Sequence, residues 1–247
     1  MGIALKSIIQ IWMTELTKFL IPLEHPSTLI RKIIMSVDIN LIKSQGYDVE
    51  KLDPNIYLIK HFLTKDDLHE IWSLIDRSQD SDWAAQLHYT KHLEDRAEEL
   101  TGKRDIDAAG IERTLDWDDK VLSLGGKTAL VQELSERVAS FFTSDCGFDF
   151  RSFGTLQRMY DGTELKAHYD DKADIRHVWA AVAYVNEDYN GGELYFSHKN
   201  IVIKPSAGSL IVFPATEDYE HGVKTVLDGP TRYVLPSFIF DHSRKIT

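Results

Sequence analysis

Cysteine occurs once in this chain, at Cys146. No disulfide can close within it, which excludes a small disulfide-stapled fold and leads us to expect a reducing, cytoplasmic setting. A lone thiol with no histidine required beside it reads as buried or incidental rather than nucleophilic. Basic residues are also scarce: 28 Lys and Arg against 39 Asp and Glu leave a net charge of −11. With no Lys/Arg run, a phosphate-tracking groove is not expected, which argues against a nucleic-acid partner. Long uninterrupted apolar runs are lacking too. The strongest candidate, IALKSIIQIWMTELTKFLI at residues 3–21, is broken by Lys6, Glu15 and Lys18, and no small-residue cleavage site follows. No transmembrane segment and no signal peptide are expected. Ile8, Ile9, Trp12, Leu16, Phe19 and Leu20 recur at helical spacing, so residues 1–34 read as an amphipathic extension docked on the domain or on a partner. Interfacial membrane binding is the minor alternative. A translation start at Met35 is a further reading, because the preceding stretch is unlike the rest.

What is present is enough apolar material for a sizeable core: 43% hydrophobic and 11% aromatic residues in 247. This suits one domain with a short extension. TKDDLHEIWSLIDRS begins a helix with Thr64 as N-cap, acids in its first turn, and Leu68, Ile71, Trp72 and Ile75 on its apolar face. KTALVQELSERVASFF forms a second, with Leu130, Val131, Leu134, Val138 and Phe141 buried. A charged stretch near 92–105 reads as a solvated helix. From about residue 150, short apolar runs alternate with turn signals: FGTLQRMY, VWAAVAYV, ELYF, IVI, SLIVF, GVKTV and YVLPSFIF. Many short strands after several helices indicate a mainly β, α+β chain, a sandwich or barrel buttressed by helices and not a βαβ repeat. The expected division is 1–34 extension, 35–150 helical support and 151–247 β core.

Chemistry concentrates in that core. In a strand, residues i and i+2 share a face, so His168 and Asp170 would aim together and Tyr169 away. His221, far along the chain, is placed to supply a third ligand from another strand. Imidazole and carboxylate without thiolate suit Fe(II) better than structural zinc, and leave positions open for a co-substrate and dioxygen. A His-x-Asp pair also arises by chance in a chain with ten histidines and many acids. Arg232 follows across the Asp228-Gly229-Pro230 turn among Tyr233, Val234, Leu235 and Phe238. A buried guanidinium fork suits a carboxylate; a surface arginine at a strand start is the plain alternative. Gly191-Gly192 reads as a tight turn with positive φ, and Glu193 as a structural hydrogen-bonding residue.

The blocks LQRMYDGTELKAHYD, RHVWAAVAYVNEDYNGGELYF, KPSAGSLIVFP, EHGVKTV and TRYVLPSFIF, in this order, resemble the catalytic domain of the 2-oxoglutarate/Fe(II)-dependent dioxygenases, prolyl 4-hydroxylase-like branch. FLTKDDLHEIWSLID resembles the helix that often precedes it. The resemblance implies a double-stranded β-helix (jelly-roll) core with iron held by His168, Asp170 and His221. It implies Arg232, helped by Tyr160, on the distal carboxylate of 2-oxoglutarate. Many prolyl hydroxylases carry lysine in place of Arg232, and Tyr160 stands one residue closer to Gly162 than in their pattern. Retention of Asp170 favours hydroxylation over halogenation. Arg158, Arg176 and Trp179 are the substrate-facing candidates, with surface ion pairing the alternative for either arginine. The segment 82–115, with Trp83 and Tyr89, is a candidate cover.

The expected activity is hydroxylation of an aliphatic C–H, of a prolyl or other residue in a peptide or protein. Dioxygen is consumed, succinate and CO2 are released, and ascorbate is an optional accessory. A hydroxylase of a free amino acid or small metabolite is the alternative. A nucleic-acid demethylase on the same core, for which no basic, aromatic-interleaved groove is seen, and a non-enzymatic cupin-like binding domain rank lower. Zinc hydrolysis would give Arg232 no role.

Overall fold

The structure is a computed structural model and describes residues 37–85, 97–103, 121–124, 128–142, 150–172 and 176–241. They fall within one compact unit, Ser36–Thr247. The amphipathic helix expected in residues 1–34, half of the charged stretch at 92–105, Tyr89 and Cys146 lie outside the described residues. No helix among the described residues is long and apolar enough to cross a membrane.

Among the described residues the helices are α1 Ile39–Ser44, α2 Lys65–Arg77 and α3 Ala129–Ala139, with a further helical stretch at residues 97–101. Helix α2 starts where the sequence indicates. The Thr64 side chain accepts from Asp67 N, and the Asp67 carboxylate accepts from Thr64 N, a reciprocal capping box. Of its expected apolar face only Ile71 is fully buried; Trp72 remains about 36% exposed, edge-on to Tyr233. Helix α3, capped by Thr128, buries Leu130, Val131, Leu134 and Val138 as its periodicity predicts, with Phe141 just beyond.

The described residues also form fifteen strands, in chain order β1 Asp48–Asp53, β2 Ile56–Lys60, β3 Trp83–Ala85, β4 Val121–Leu124, β5 Phe150–Gly154, β6 Gln157–Met159, β7 Leu165–His168, β8 His177–Tyr184, β9 Asn190–Gly191, β10 Leu194–Phe196, β11 Ile201–Ile203, β12 Leu210–Pro214, β13 His221–Val223, β14 Val226–Leu227 and β15 Arg232–Asp241. The larger sheet runs β1-β2-β12-β8-β15-β6-β4-β3, with β5 also on β15; the smaller runs β11-β10-β13-β7; β9 and β14 form a separate ribbon. All the pairings are antiparallel. This is the double-stranded β-helix, with the core between the two sheets: Ala180, Tyr184, Ile211, Phe213 and Val234 of the larger sheet meet Leu194 and Phe196 of the smaller.

Pro236 lies inside β15, a central strand, where a proline normally costs a ladder bond. Here β15 is flanked by β6 over Arg232–Val234 and by β5 over Ser237–Asp241. Pro236 falls at the hand-over between them, and its carbonyl accepts from Thr155 N in the connecting loop. A strand residue's N–H and C=O point to the same side, so the missing donor falls at a break in the ladder.

A bidentate pair ties the two long helices together. Arg137 Nη1 and Nη2 donate to Asp67 Oδ2 and Oδ1 at 2.7 and 3.2 Å, and the guanidinium lies 5.7 Å over the Phe62 ring. Burial pushes the Asp67 carboxyl up, but the Arg137 and Thr64 hydrogen bonds outweigh it and leave its pKa below the usual carboxylate range. A depressed native pKa stabilises the fold above the unfolded-state value, and that stabilisation is lost as pH falls through the native one. Arg137→Ala is expected to cost about 1–3 kcal/mol at neutral pH, since the pair is only partly screened. Urea denaturation should show the difference from wild type narrowing in acid, as Asp67 becomes protonated.

Candidate metal centre

The Nε2 atoms of His168 and His221 and the Asp170 carboxylate all lie within 4.8 Å of one another. His168 Nε2 is 3.7 Å from Asp170 Oδ1, and His221 Nε2 is 3.8 Å from Asp170 Oδ2. The tautomers suit ligation. His168 Nδ1 donates to the Lys166 carbonyl at 2.8 Å, and His221 Nδ1 donates to the Tyr219 carbonyl at 3.1 Å. A carbonyl can only accept, so the ring proton sits on Nδ1 and the Nε2 lone pair faces the shared point. Burial, reinforced by His168 and opposed by Asp170, lowers the His221 pKa from 6.5 to about 4, so its imidazole is neutral. Asp170 Oδ2 is buried with no hydrogen-bond partner. Two imidazole nitrogens beside an unpartnered carboxylate oxygen fit a divalent first-row ion.

Local structure brings the three together. His168 closes β7 and pairs directly with His221 on β13, their rings 4.6 Å apart. Asp170 is not on the strand: it opens a 3-10 turn, Asp170–Lys172. Strand parity therefore does not aim its carboxylate. The turn does, held by Asp171 N donating to the Ala215 carbonyl and His177 Nδ1 donating to the Asp170 carbonyl at 3.0 Å. His221 packs edge-on against Phe213, with rings 4.5 Å apart, and beside Phe196. A Cβ at Gly222 would stand 2.6 Å from the Leu165 carbonyl oxygen of β7 and 2.5 Å from the Tyr195 hydroxyl. Only glycine there lets β13 lie against β7 with Tyr195 across it.

Arg232, 2% exposed, opens β15 and faces the space between the sheets. Its Nη1 donates to Met159 Sδ at 3.1 Å, and its guanidinium lies 5.3 Å from the Tyr184 ring centroid and 5.6 Å from that of Tyr189. The guanidinium acts on both phenols electrostatically, yet Arg232 Nε and the two hydroxyls make no well-formed hydrogen bond. Burial pushes the Tyr184 hydroxyl up to about 12 and raises that of Tyr189, so both remain neutral donors. Among the described residues, eight buried side-chain polar atoms lack a partner; four belong to Asp170, Arg232, Tyr184 and Tyr189. The pattern is a cation and two hydroxyl donors in want of an anion. A 2-oxo dicarboxylic acid would answer both needs, a chelating end for the ion and a carboxylate for Arg232.

Three expected residues lie elsewhere. Tyr160 does not accompany Arg232: the Arg158 guanidinium lies 5.0 Å over its ring, and the two share the opposite side of the larger sheet with Trp83. Arg158 pairs with Asp80 at 2.9 Å and stacks 4.4 Å over Trp83, so it is a structural ion pair and not a substrate-facing group. Both follow from β6 parity, which turns Met159 toward Arg232 and its neighbour Arg158 away. Trp179 is 1% exposed and packs on Phe142 behind β8, so it is core and not a substrate wall. Arg176 is half-buried at the turn before β8, next to His177. Gly191 and Gly192 both have positive φ, 63° and 66°. The sequence reading missed Tyr184, Tyr189 and His177. Even spacing along VWAAVAYV puts Tyr184 on a face with Ala180, but nothing in the string says that this face is the interior.

Two measurements test the centre. Gly222→Ala should weaken Mn(II) binding about 10- to 100-fold, the usual scale for disturbing what orients a metal ligand; unchanged affinity by calorimetry would contradict the geometry. In the metal-free protein, His221 must be buried uncharged while the unfolded chain takes up a proton. Stability should therefore fall as pH drops from 6.5 toward about 4, visible as a declining Tm. His221→Gln should flatten that decline.

Residues 154–240 match the family model of the 2OG-Fe(II) oxygenase superfamily. No curated protein matches the chain. Among solved structures, a prolyl hydroxylase from Trichoplax adhaerens, in complex with a peptide fragment of the hypoxia inducible factor oxygen degradation domain, is 15% identical. The match covers 90% of this chain and 96% of that one, with a TM-score of 0.50. A viral collagen prolyl hydroxylase from Paramecium bursaria Chlorella virus-1, as its 2OG complex, is 15% identical over 75% and 95% of the two chains, TM-score 0.49. A Pseudomonas putida prolyl-4-hydroxylase is 19% identical over 76% and 93%, TM-score 0.47. The core at residues 154–240 is thus similar to the 2OG-Fe(II) oxygenase superfamily, enzymes that use Fe(II) and 2-oxoglutarate.

Proposed function

We propose that the protein hydroxylates an aliphatic C–H of a prolyl or other residue in a peptide or protein, with His168, Asp170 and His221 as the iron ligands. The observation that carries this reading is the convergence of those three side chains on one point, in a core that also buries the unpaired Arg232. When bound, Fe(II) and 2-oxoglutarate supply the oxidising power for the hydroxylation, with succinate and CO2 as co-products. The chain's own residues do the rest. The Lys166 and Tyr219 carbonyls keep the two imidazoles in the ligating tautomer. Arg232 holds the distal carboxylate of the co-substrate, and Phe196 and Phe213 screen His221 from water. Of the substrate-facing candidates we retain Arg176, beside the His177 that fixes the Asp170 turn.

The peptide reading is supported by the Trichoplax enzyme of similar fold, which is complexed with a peptide fragment. We take residues 151–247 as the catalytic core, 35–150 as its support and 1–34 as an extension, and place the protein in the cytoplasm on the strength of its single cysteine.

The test is succinate release with Fe(II), 2-oxoglutarate and a panel of prolyl peptides and free amino acids. Peptide-stimulated turnover is expected in the wild type and none in His168→Ala or Asp170→Ala. Full activity in either variant would sink the ligand assignment, and stimulation by a free amino acid alone would transfer the substrate to the metabolite class.

A further inference from the structure

His221 is aimed by a backbone carbonyl, and that carbonyl has a support of its own. Tyr219 ends the three-residue 3-10 turn Glu217–Tyr219 just before β13, and its carbonyl accepts from His221 Nδ1 at 3.1 Å. Such a turn is held by bonds of poorer geometry than those of an α-helix, here Tyr219 N to the Thr216 carbonyl and Glu220 N to the Glu217 carbonyl. The backbone alone therefore fixes the carbonyl weakly, and the side chain matters. The Tyr219 ring is buried in the core between the sheets. Its hydroxyl accepts from Asn55 Nδ2 at 2.7 Å, across 164 residues of chain. Asn55 stands in the β1–β2 turn, where its N–H donates to Asp53 Oδ1 at 3.4 Å, an aspartate-capped turn. The other Asp53 oxygen accepts from Lys199 Nζ at 3.2 Å, and the same ammonium lies 4.4 Å over the Tyr219 ring. The phenol is thus gripped at its hydroxyl by Asn55 and on its face by Lys199, both tied to one hairpin tip.

We propose that Tyr219 is a positioning residue for the metal centre, anchored by Asn55 of the β1–β2 turn. The inference deepens the proposed function and rests on it, because it takes His221 as a ligand. The chain of causes is short. Asn55 and Lys199 set the phenol, the phenol steadies the turn, the turn's carbonyl holds the Nδ1 proton, and Nε2 is left facing the ion. Phe213 and Phe196 pack on the imidazole but cannot hydrogen-bond to its nitrogens, so they leave the ring's rotation to that carbonyl. Asp53 and Asn55 lie outside residues 154–240, the part that matches the family model, so this support comes from the N-terminal side of the chain.

The test is a double-mutant cycle on Mn(II) affinity, measured by calorimetry on the full chain well below its Tm. Tyr219→Phe keeps the ring in the core and removes only the hydroxyl; Asn55→Ala removes the donor. Each should weaken Mn(II) by about three- to tenfold, the range set by one neutral hydrogen bond. The double variant should be no weaker than the worse single one, because both changes break the same contact. Lys60→Ala, which breaks the exposed Lys60–Glu50 pair elsewhere on the hairpin, should leave Mn(II) affinity unchanged. A fall in Tm with Mn(II) affinity intact in both single variants would overturn the proposal in favour of a purely structural contact. Additive losses, or an equal loss in Lys60→Ala, would overturn it too, since the Asn55–Tyr219 bond would then not be the route. Wild-type protein that takes up no Mn(II) would refute the ligand assignment itself, and this inference with it.

Discussion

A positive charge is buried between two apolar sheets with no carboxylate against it among the described residues, and much of the core depends on that. Arg232 is 2% exposed, and its neighbours include a thioether and the phenols of Tyr184 and Tyr189. Such a group is costly to remove from water unless something anionic answers it. The surroundings keep the answer open. Met159 is a weak acceptor, Tyr184 and Tyr189 are donors, and Gly192 leaves space at the arginine's stem. The fold carries this strain because the remainder of the core is dense and apolar.

The second constraint is the distance between two short strands. His168 and His221 face each other across the β7–β13 pair, so both ligands depend on that pairing. Gly222 permits it and Tyr195 covers it from outside. Backbone carbonyls of Lys166 and Tyr219, not carboxylates, orient the two rings. Burial, with a pKa lowered to about 4, keeps the His221 imidazole neutral. Geometry, tautomer and charge are set before any ion arrives, which is what preorganisation of a metal site means physically.

Much of the fold was legible because its signals are local. Thr64 and Asp67 announce a helix start by the hydrogen bonds they can make, and each short apolar run between Gly, Asn or Pro punctuation became a strand. The ligand triplet was legible for another reason, the narrow chemistry of two imidazoles and a carboxylate. The aim of Asp170, by contrast, does not come from strand parity. A strand would have aimed it by parity, whereas a 3-10 turn anchored to Ala215 and His177 does so. Arg158, Tyr160 and Trp179 failed together: strand alternation sorts residues into two faces without saying which one is the inside.

By itself the sequence determined the order and type of elements, a candidate metal-binding triplet of two histidines and an aspartate, and the presence of an arginine fated to be buried, because backbone propensity, side-chain chemistry and apolar context are all local properties. Tertiary structure alone decided which tyrosines stand beside Arg232, which face of β8 is the interior, and that Pro236 falls where β5 hands over to β6. Those outcomes depend on the register between strands far apart in the chain, and register is fixed only when the two sheets pack.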